Sequence, residues 1–341
     1  MLMSRSISAK MMRTGSTSRA KLQRIEVRKS RKKKTKKVSR EATFLAGDIL
    51  TAIRKIPKKS CDLIISSPPY NIGKNYERSS KLSFEEYICW QDKVIAALIE
   101  RLSDSGSICW QVGSYVKDGE SIPLDVYFYH SFKMRGMKLR NRIIWKFNFG
   151  LNSTTRLSGR YETILWFTKS DKYTFNLDPI RVSQLYPGKR HAKTKKNGSG
   201  LPSGNPLGKN PGDYWEFSAA QHFQGFPIWD IPNVKANHPE KTSHPCQFPI
   251  ELVERCILAL TNKGDTVLDP FVGTGSTVIA AIKQHRLGIG IDKDIEFLKL
   301  ARKRVSDFRK GTLKLRPIGR PIHRPAPNDK VAMRPKEWPV N

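Results

Sequence analysis

Acid is what this sequence has too little of. Thirty Asp and Glu stand against 62 Lys and Arg, a formal charge of +32 over 341 residues. The excess is not confined to one end. Residues 1–40 hold 15 basic side chains and one acid, Glu26, yet the remaining residues still carry +18. A body this basic favours a polyanionic partner, nucleic acid first. Cysteine is also scarce. Cys61, Cys89, Cys109, Cys246 and Cys256 are scattered, and no two stand at Cys-x-x-Cys spacing. That pattern indicates neither a disulfide framework nor a zinc site, so no metal is expected and a reducing, cytoplasmic setting fits best. Long apolar runs are missing. No stretch of 18 or more apolar residues occurs, so a membrane span is not expected.

The first 40 residues lack nearly everything that orders a chain. They are rich in Ser, Arg and Lys, culminating in Arg31-Lys32-Lys33-Lys34-Thr35-Lys36-Lys37. Such a segment cannot bury enough apolar area to offset its conformational entropy, and it reads as a disordered basic tail. An electrostatic arm on DNA, an organellar or nuclear address and a plain solvated tail all match its composition.

What is present from Thr43 onward is an α/β pattern. Apolar runs at Thr43–Ala46, Asp62–Ser66, Ser107–Val112, Thr266–Leu268 and Leu287–Ile291 alternate with helical periodicity at Phe84–Leu102, Leu124–Met134, Pro249–Thr261, Gly275–His285 and Asp294–Asp307. Asp62–Ser66 is apolar nearly throughout, as a strand covered on both faces should be. Leu139–Phe149 and Tyr161–Lys169 read as a hairpin. Residues 183–245 have another texture, rich in Lys, Gly, Asn, Pro and His with Trp215 and Trp229 among them. Bases interleaved with aromatics suit a nucleic-acid-reading insert. Lys189, Arg190, Lys193, Lys195 and Lys196 are its candidate phosphate contacts.

Two loops carry the chemistry. Asp269-Pro270-Phe271-Val272-Gly273-Thr274-Gly275 joins a strand to a helix, where ligands of doubly wound sheets bind. Its glycines let backbone approach a ligand, and the helix N-terminus offers free N–H groups. The third glycine of a dinucleotide fingerprint is absent, as is the Gly-Lys-Ser/Thr of a phosphate loop. Asp292 ends the next strand, where an acid can hold ribose hydroxyls. The other loop, Ser66-Ser67-Pro68-Pro69-Tyr70, follows a buried strand. Two prolines hold it extended. It presents a hydroxyl and a proline carbonyl as acceptors, with an aromatic face beside them. Those groups suit an exocyclic amine, whose lone pair is delocalised until acceptors on its hydrogens favour a pyramidal nitrogen. A base presenting that amine must leave the duplex stack.

Together these motifs resemble those of DNA amino-methyltransferases, over roughly residues 42–310. The resemblance implies a doubly wound, mostly parallel, Rossmann-like methyltransferase sheet and S-adenosylmethionine as cofactor. Asp269, Phe271, Gly273, Thr274 and Gly275 would wrap its methionine end, with Asp292 at the ribose and Asp48 at the adenine. Lys241, in Lys241-Thr242-Ser243-His244-Pro245-Cys246-Gln247-Phe248-Pro249, would meet the methionine carboxylate. Ser67, Pro68, Pro69 and Tyr70 would be catalytic. The Ser-Pro-Pro-Tyr form is typical of cytosine-N4 enzymes and the Asp form of adenine-N6 enzymes; adenine N6, RNA and a non-catalytic DNA-binding role stay open as alternatives. The catalytic loop precedes the cofactor loop, which matches the circularly permuted β group. Pro245-Cys246 superficially matches the nucleophile of cytosine carbon-5 enzymes, but it lies before the cofactor loop rather than after it. The implied division is a tail (1–40), a catalytic part (41–182), a target-recognition insert (183–240), a cofactor-binding part (241–310) and a C-terminal extension (311–341). The implied partners are double-stranded DNA and a restriction endonuclease acting on the same site, with a monomer or homodimer at the bacterial nucleoid.

Overall fold

In the computed structural model, described residues are 41–73, 82–147, 152–184, 186–191, 200–215, 231–235, 238–244, 246–320, 326, 328–329 and 333. The basic tail lies outside them. Glu41 onward forms one compact unit.

The strands are β1 (Ala42–Ala46), β2 (Cys61–Ser66), β3 (Leu102–Val112), β4 (Ser114–Lys117), β5 (Glu120–Pro123), β6 (Lys138–Lys146), β7 (Tyr161–Thr168), β8 (Tyr214–Trp215), β9 (Thr266–Asp269) and β10 (Leu287–Asp292). The α-helices are α1 (Ile49–Ala52), α2 (Phe84–Arg101), α3 (Leu124–Lys133), α4 (Ile250–Leu260), α5 (Ser276–Lys283) and α6 (Ile295–Arg309). Eight strands make the main sheet in the order β1-β10-β9-β2-β3-β7-β6-β8. β1 through β3 in that order are parallel, whereas β7 runs antiparallel to both β3 and β6. This is the expected α/β, mostly parallel methyltransferase sheet.

The order has one consequence for function. β9, late in the chain, pairs in parallel with β2, early in it, through Leu63↔Val267 and Ile64↔Leu268. The two chemically suggestive loops therefore leave neighbouring strands at the same edge of the sheet, where ligands of open α/β sheets bind.

Two cores flank the sheet. Leu63, Ile65 and Cys109 face the layer containing α4 and α5, with Val253, Ile257, Val278 and Ile279. Ile64, Ile108 and Trp110 face the other way, onto α2 and α3 with Val94, Leu98, Phe128 and Phe132. The strict alternation explains why β2 reads as apolar nearly throughout. α2 starts where the sequence dictates: Ser83 caps Glu86 N and the Glu86 carboxylate takes Ser83 N in return, a reciprocal capping box. Its buried stripe of Tyr87, Gln91, Val94, Ile95 and Leu98 follows helical spacing.

Three features were not apparent from periodicity. β3 begins at Leu102 rather than Ser107. β4 and β5 form a hairpin around Asp118-Gly119, both at positive φ (51° and 84°), and Asp-Gly is a strong sequence signal for that turn. Part of the insert also pairs with itself. Isolated bridges Val182↔Lys209 and Arg190↔Pro202, with His191 N donating to Leu201 O and Ser203 N to Lys189 O, make an irregular antiparallel ribbon. After α6, Arg316 forms a buried ion pair with Glu251, and Arg316 N and Gly319 N donate to Glu240 and Glu251.

Candidate active site

A cavity of about 920 Å³ opens at the C-terminal edge of β2 and β9. Both loops line it, from Ser67 to Asn71 on one side and from Asp269 to Thr274 on the other.

Asp269 ends β9 and opens the second loop. It is buried, and its carboxylate accepts from Ser66 Oγ (2.6 Å), Thr277 Oγ1 (2.5 Å) and Phe271 N (3.0 Å). Burial nevertheless lifts its pKa to about 6, against which those hydrogen bonds pull only partly. Asp292 ends β10 and accepts from Gly273 N (2.8 Å) and Asp294 N (2.9 Å), which shapes the Gly273 turn. Burial raises its pKa as well. Asp48 caps α1 by accepting from Leu50 N (2.9 Å) while lining the cavity. Phe271 packs on Trp90 and Trp110, with ring centroids 5.8 and 6.2 Å away.

The two glycines differ. Gly273 (φ 48°) lines the cavity, and a Cβ there would stand 3.5 Å from His244 Nε2. Gly275 (φ 80°) is not on the cavity wall; it caps α5, and a Cβ would come within 2.9 Å of the Ala301 Cβ on α6. Thr274 lines the cavity, but Arg304 Nη1 donates to its carbonyl (2.6 Å) and hydroxyl (2.9 Å) from behind. Lys241 does not reach the wall. Its ammonium donates to the His244 carbonyl (2.9 Å). His244 packs edge-on against Phe297 and accepts from Cys246 N through Nδ1 (3.1 Å); burial lowers its pKa to about 4, so the ring is neutral.

Along the Ser67–Tyr70 loop, Tyr87 OH donates to the Pro69 carbonyl (2.9 Å), and Gln91 Nε2 lies 3.4 Å from the same oxygen. Ser67 Oγ and Tyr70 OH are 3.2 Å apart. Tyr70 OH also lies 3.5 Å from both the Gln111 carbonyl and Glu162 Oε2. Burial, and then Glu162, push the tyrosine's pKa well up. Asn71, at φ 59°, clamps Leu82 in both directions, donating to its carbonyl (2.8 Å) and accepting from its N–H (3.1 Å).

Glu162, Gln111 and Trp90 line the same cavity and were not singled out from the sequence. Glu162 was visible only as an acid among apolar residues of β7. Of the insert's candidate contacts, Lys189 and Arg190 are exposed on the ribbon, and Lys193, Lys195 and Lys196 lie outside the described residues.

The cofactor end of the cavity fits S-adenosylmethionine. In a chain of +32, four acids (Asp48, Asp269, Asp292 and Asp294) gather on one wall. Two of them are held above their ordinary pKa by burial, which a sulfonium and an ammonium would relieve. Phe271 and Trp90 supply apolar surface beside them.

Sheet order and paired loops define a methyltransferase. A family model described as DNA methylase, covering N6- and N4-directed enzymes, matches residues 61–303. The chain belongs to that family, the S-adenosylmethionine-dependent DNA amino-methyltransferases. It is 44% identical over 256 residues to the type II methyltransferase M.BglII of Bacillus subtilis, covering 75% of this chain and 66% of that protein. It is 33% identical to M.ScaI of Streptomyces caespitosus, over 75% of this chain and 78% of that one. It is also 33% identical to the DNA adenine methyltransferase YhdJ of Escherichia coli K12, over 77% and 82%. The fold matches the cytosine-N4-specific PvuII DNA methyltransferase with a TM-score of 0.56 at 18% identity, over 80% of this chain and 93% of that one. TTHA0409 of Thermus thermophilus, in complex with S-adenosyl-L-methionine, matches with a TM-score of 0.52 at 22% identity, over 78% and 93%. No described helix is long and apolar enough to cross a membrane, and no cluster of described His, Cys, Asp and Glu could hold a metal.

Proposed function

We propose that this chain methylates the N4 amine of cytosine in a specific duplex DNA sequence, as the modification partner of a type II restriction endonuclease. The observation that carries the reading is Ser67: a hydroxyl, rather than a carboxylate, stands at the end of β2 in the cavity shared with the cofactor loop. Asp48, Asp269, Asp292 and the Gly273 backbone would hold S-adenosylmethionine, which supplies an electrophilic methyl group when bound. Thr274 and Gly275 shape that loop from behind, and Lys241 braces the His244 segment.

The target amine is positioned by Ser67 Oγ and the Pro68 carbonyl. The Pro69 carbonyl already takes the Tyr87 hydroxyl, whereas no hydrogen bond among the described residues ends on that of Pro68. Both acceptors draw on the amine hydrogens and localise the nitrogen lone pair. Tyr70 offers its ring to the flipped base. The cavity lining also includes Arg156 and Lys235, suited to the phosphates on either side of that base. The restriction partner rests on the type II relatives.

Adenine N6 is the second reading, favoured by the similarity to YhdJ. The test is modification of genomic DNA in a methylation-free host, followed by nucleoside mass analysis and sequencing. N4-methylcytosine at one short motif supports the proposal. N6-methyladenine without N4-methylcytosine overturns it, and methyl transfer to RNA but not duplex DNA overturns both readings.

A further inference from the structure

Methylating an amine leaves one proton to dispose of. The base nitrogen forms a bond to the methyl carbon, the sulfur keeps the electron pair of the broken S–C bond, and one N–H proton must leave. No acid or imidazole of the Ser-Pro-Pro-Tyr loop can accept it, because the loop has none.

We propose that Glu162 is the proton acceptor, reached through the hydroxyls of Ser67 and Tyr70. The relay rests on the reading of Ser67 as an acceptor for the target amine. Ser67 Oγ lies 3.2 Å from Tyr70 OH, and Tyr70 OH lies 3.5 Å from Glu162 Oε2. With Ser67 donating to Tyr70, and Tyr70 donating to Glu162 rather than to the Gln111 carbonyl that lies equally near, the chain has a single polarity, from amine to Ser67 to Tyr70 to carboxylate. When the amine proton moves to Ser67 Oγ, the Ser67 proton moves to Tyr70 and the Tyr70 proton to Glu162. The serine and tyrosine end as they began, and the carboxylate becomes a carboxylic acid.

The surroundings of Glu162 suit both states. Gln111 Nε2 donates to Glu162 Oε2, while Gln111 Oε1 is buried with no partner among the described residues. Turned over, the same amide offers Oε1 to the protonated acid. Burial lifts the Glu162 pKa to about 7, with Gln111, Tyr70 and the positive charge of Lys235 pulling it down. Across the strand pair it faces Trp145 on β6, which is apolar, and Cys246 acts on Tyr70 from the segment before α4. A carboxyl poised near neutrality can take a proton in one turnover and release it to solvent before the next. Glu162 acts through Tyr70 and Ser67, so it is a relay residue rather than one that touches the base.

The test compares Glu162→Gln, Tyr70→Phe, Glu162→Asp and Ser67→Ala in single-turnover methyl transfer to genomic DNA from a methylation-free host, across pH. The wild-type rate should rise as pH rises through about 7 and then level off. E162Q and Y70F should each lose roughly 100-fold or more, with a flat pH profile and unchanged DNA and cofactor affinity. E162D should recover part of the rate together with the pH dependence. Infrared titration of the protein without cofactor should show a carboxylic C=O band titrating near neutrality that E162Q removes. If E162Q does not fold, Y70F and the infrared titration of wild type and E162D carry the test. E162Q with the wild-type rate and profile overturns the relay. If S67A is inactive while E162Q is wild-type-like, only the relay fails; if S67A keeps full rate, the acceptor reading fails with it.

Discussion

Ser66 Oγ donates to Asp269 Oδ1 at 2.6 Å, although 203 residues separate the two. The bond ties the strand end that launches the catalytic turn to the residue that opens the cofactor loop. Because Asp269 also takes Thr277 Oγ1 and Phe271 N, its carboxylate braces both halves of the site. Replacing it with Ala strands buried donors and should cost about 1–3 kcal/mol. The same change should abolish the rise in melting temperature caused by S-adenosylmethionine. Ser66→Ala breaks only one bond and should cost about 1 kcal/mol while keeping part of that rise. Thermal unfolding with and without the cofactor checks both. A D269A protein that still shows the full ligand-induced shift would remove Asp269 from the cofactor site.

With Asp269 in the proposed cofactor site, its pKa should make cofactor binding depend on pH, with a definite sign. Its folded pKa of about 6 lies above the ordinary carboxyl value, so the folded protein takes up this proton before the unfolded chain does. The cofactor-free protein should therefore gain stability as pH falls from about 6 toward the ordinary carboxyl value, by an amount on the order of 3 kcal/mol. A cationic ligand prefers the ionised carboxylate. Affinity for S-adenosylmethionine should rise as pH rises through the same range, with protons released on binding below it. Calorimetry in buffers of different ionisation enthalpy measures that release. In Asp269→Asn both trends should flatten, and a wild-type affinity independent of pH across the range around about 6 would contradict the argument.

The two loop glycines should fail differently. At Gly275 a methyl group would stand 2.9 Å from the Ala301 Cβ, in a left-handed backbone conformation. Gly275→Ala must move α6 away from the loop and should cost about 1–3 kcal/mol of stability. Gly273→Ala meets only ordinary contacts at His244. It carries just the left-handed penalty of about 1–2 kcal/mol, but it places a methyl group on the cavity wall. Its larger loss should be in cofactor affinity. Melting temperature and cofactor titration on both variants separate packing from binding.

How much of this was legible in the sequence depended on the range of the interaction. The Asp-Pro-Phe-x-Gly-x-Gly and Ser-Pro-Pro-Tyr loops are local, and their place at strand ends follows from the apolar runs before them. Their meeting in one cavity follows only from the pairing of β9 with β2, which no local pattern encodes. Glu162 and Gln111 were invisible for the same reason. Glu162 is the one acid of β7 and Gln111 the one amide of β3, and their partnership exists only because β7 lies beside β3. The Asp118-Gly119 hairpin carries a local turn dipeptide, but it was not among the elements expected from the sequence. Conversely, Lys241 matched a motif, yet its ammonium turns back to the His244 carbonyl rather than toward the cavity. Spacing alone cannot report side-chain direction.

The ribbon that pairs Val182 with Lys209 and Arg190 with Pro202 offers a testable surface for DNA. Lys189 and Arg190 sit side by side on it, both exposed, but their side chains are engaged differently. Arg190 Nη1 donates to the Gly200 carbonyl of the opposing segment, so its removal loosens the ribbon as well as subtracting a charge. The Lys189 ammonium meets no acid among the described residues, while its backbone N–H and carbonyl are held by Tyr186 and Ser203. A charge fixed at its root and free at its tip suits a phosphate. Lys189→Ala should therefore weaken binding to all duplex sequences alike and lower the slope of log affinity against log salt by about 1. Arg190→Ala should weaken binding further and also reduce discrimination between target and non-target DNA, because the ribbon it staples is displaced. Fluorescence anisotropy over a salt series, on specific and scrambled duplexes, distinguishes the two. A K189A protein with an unchanged salt slope would place the DNA on another face of the molecule.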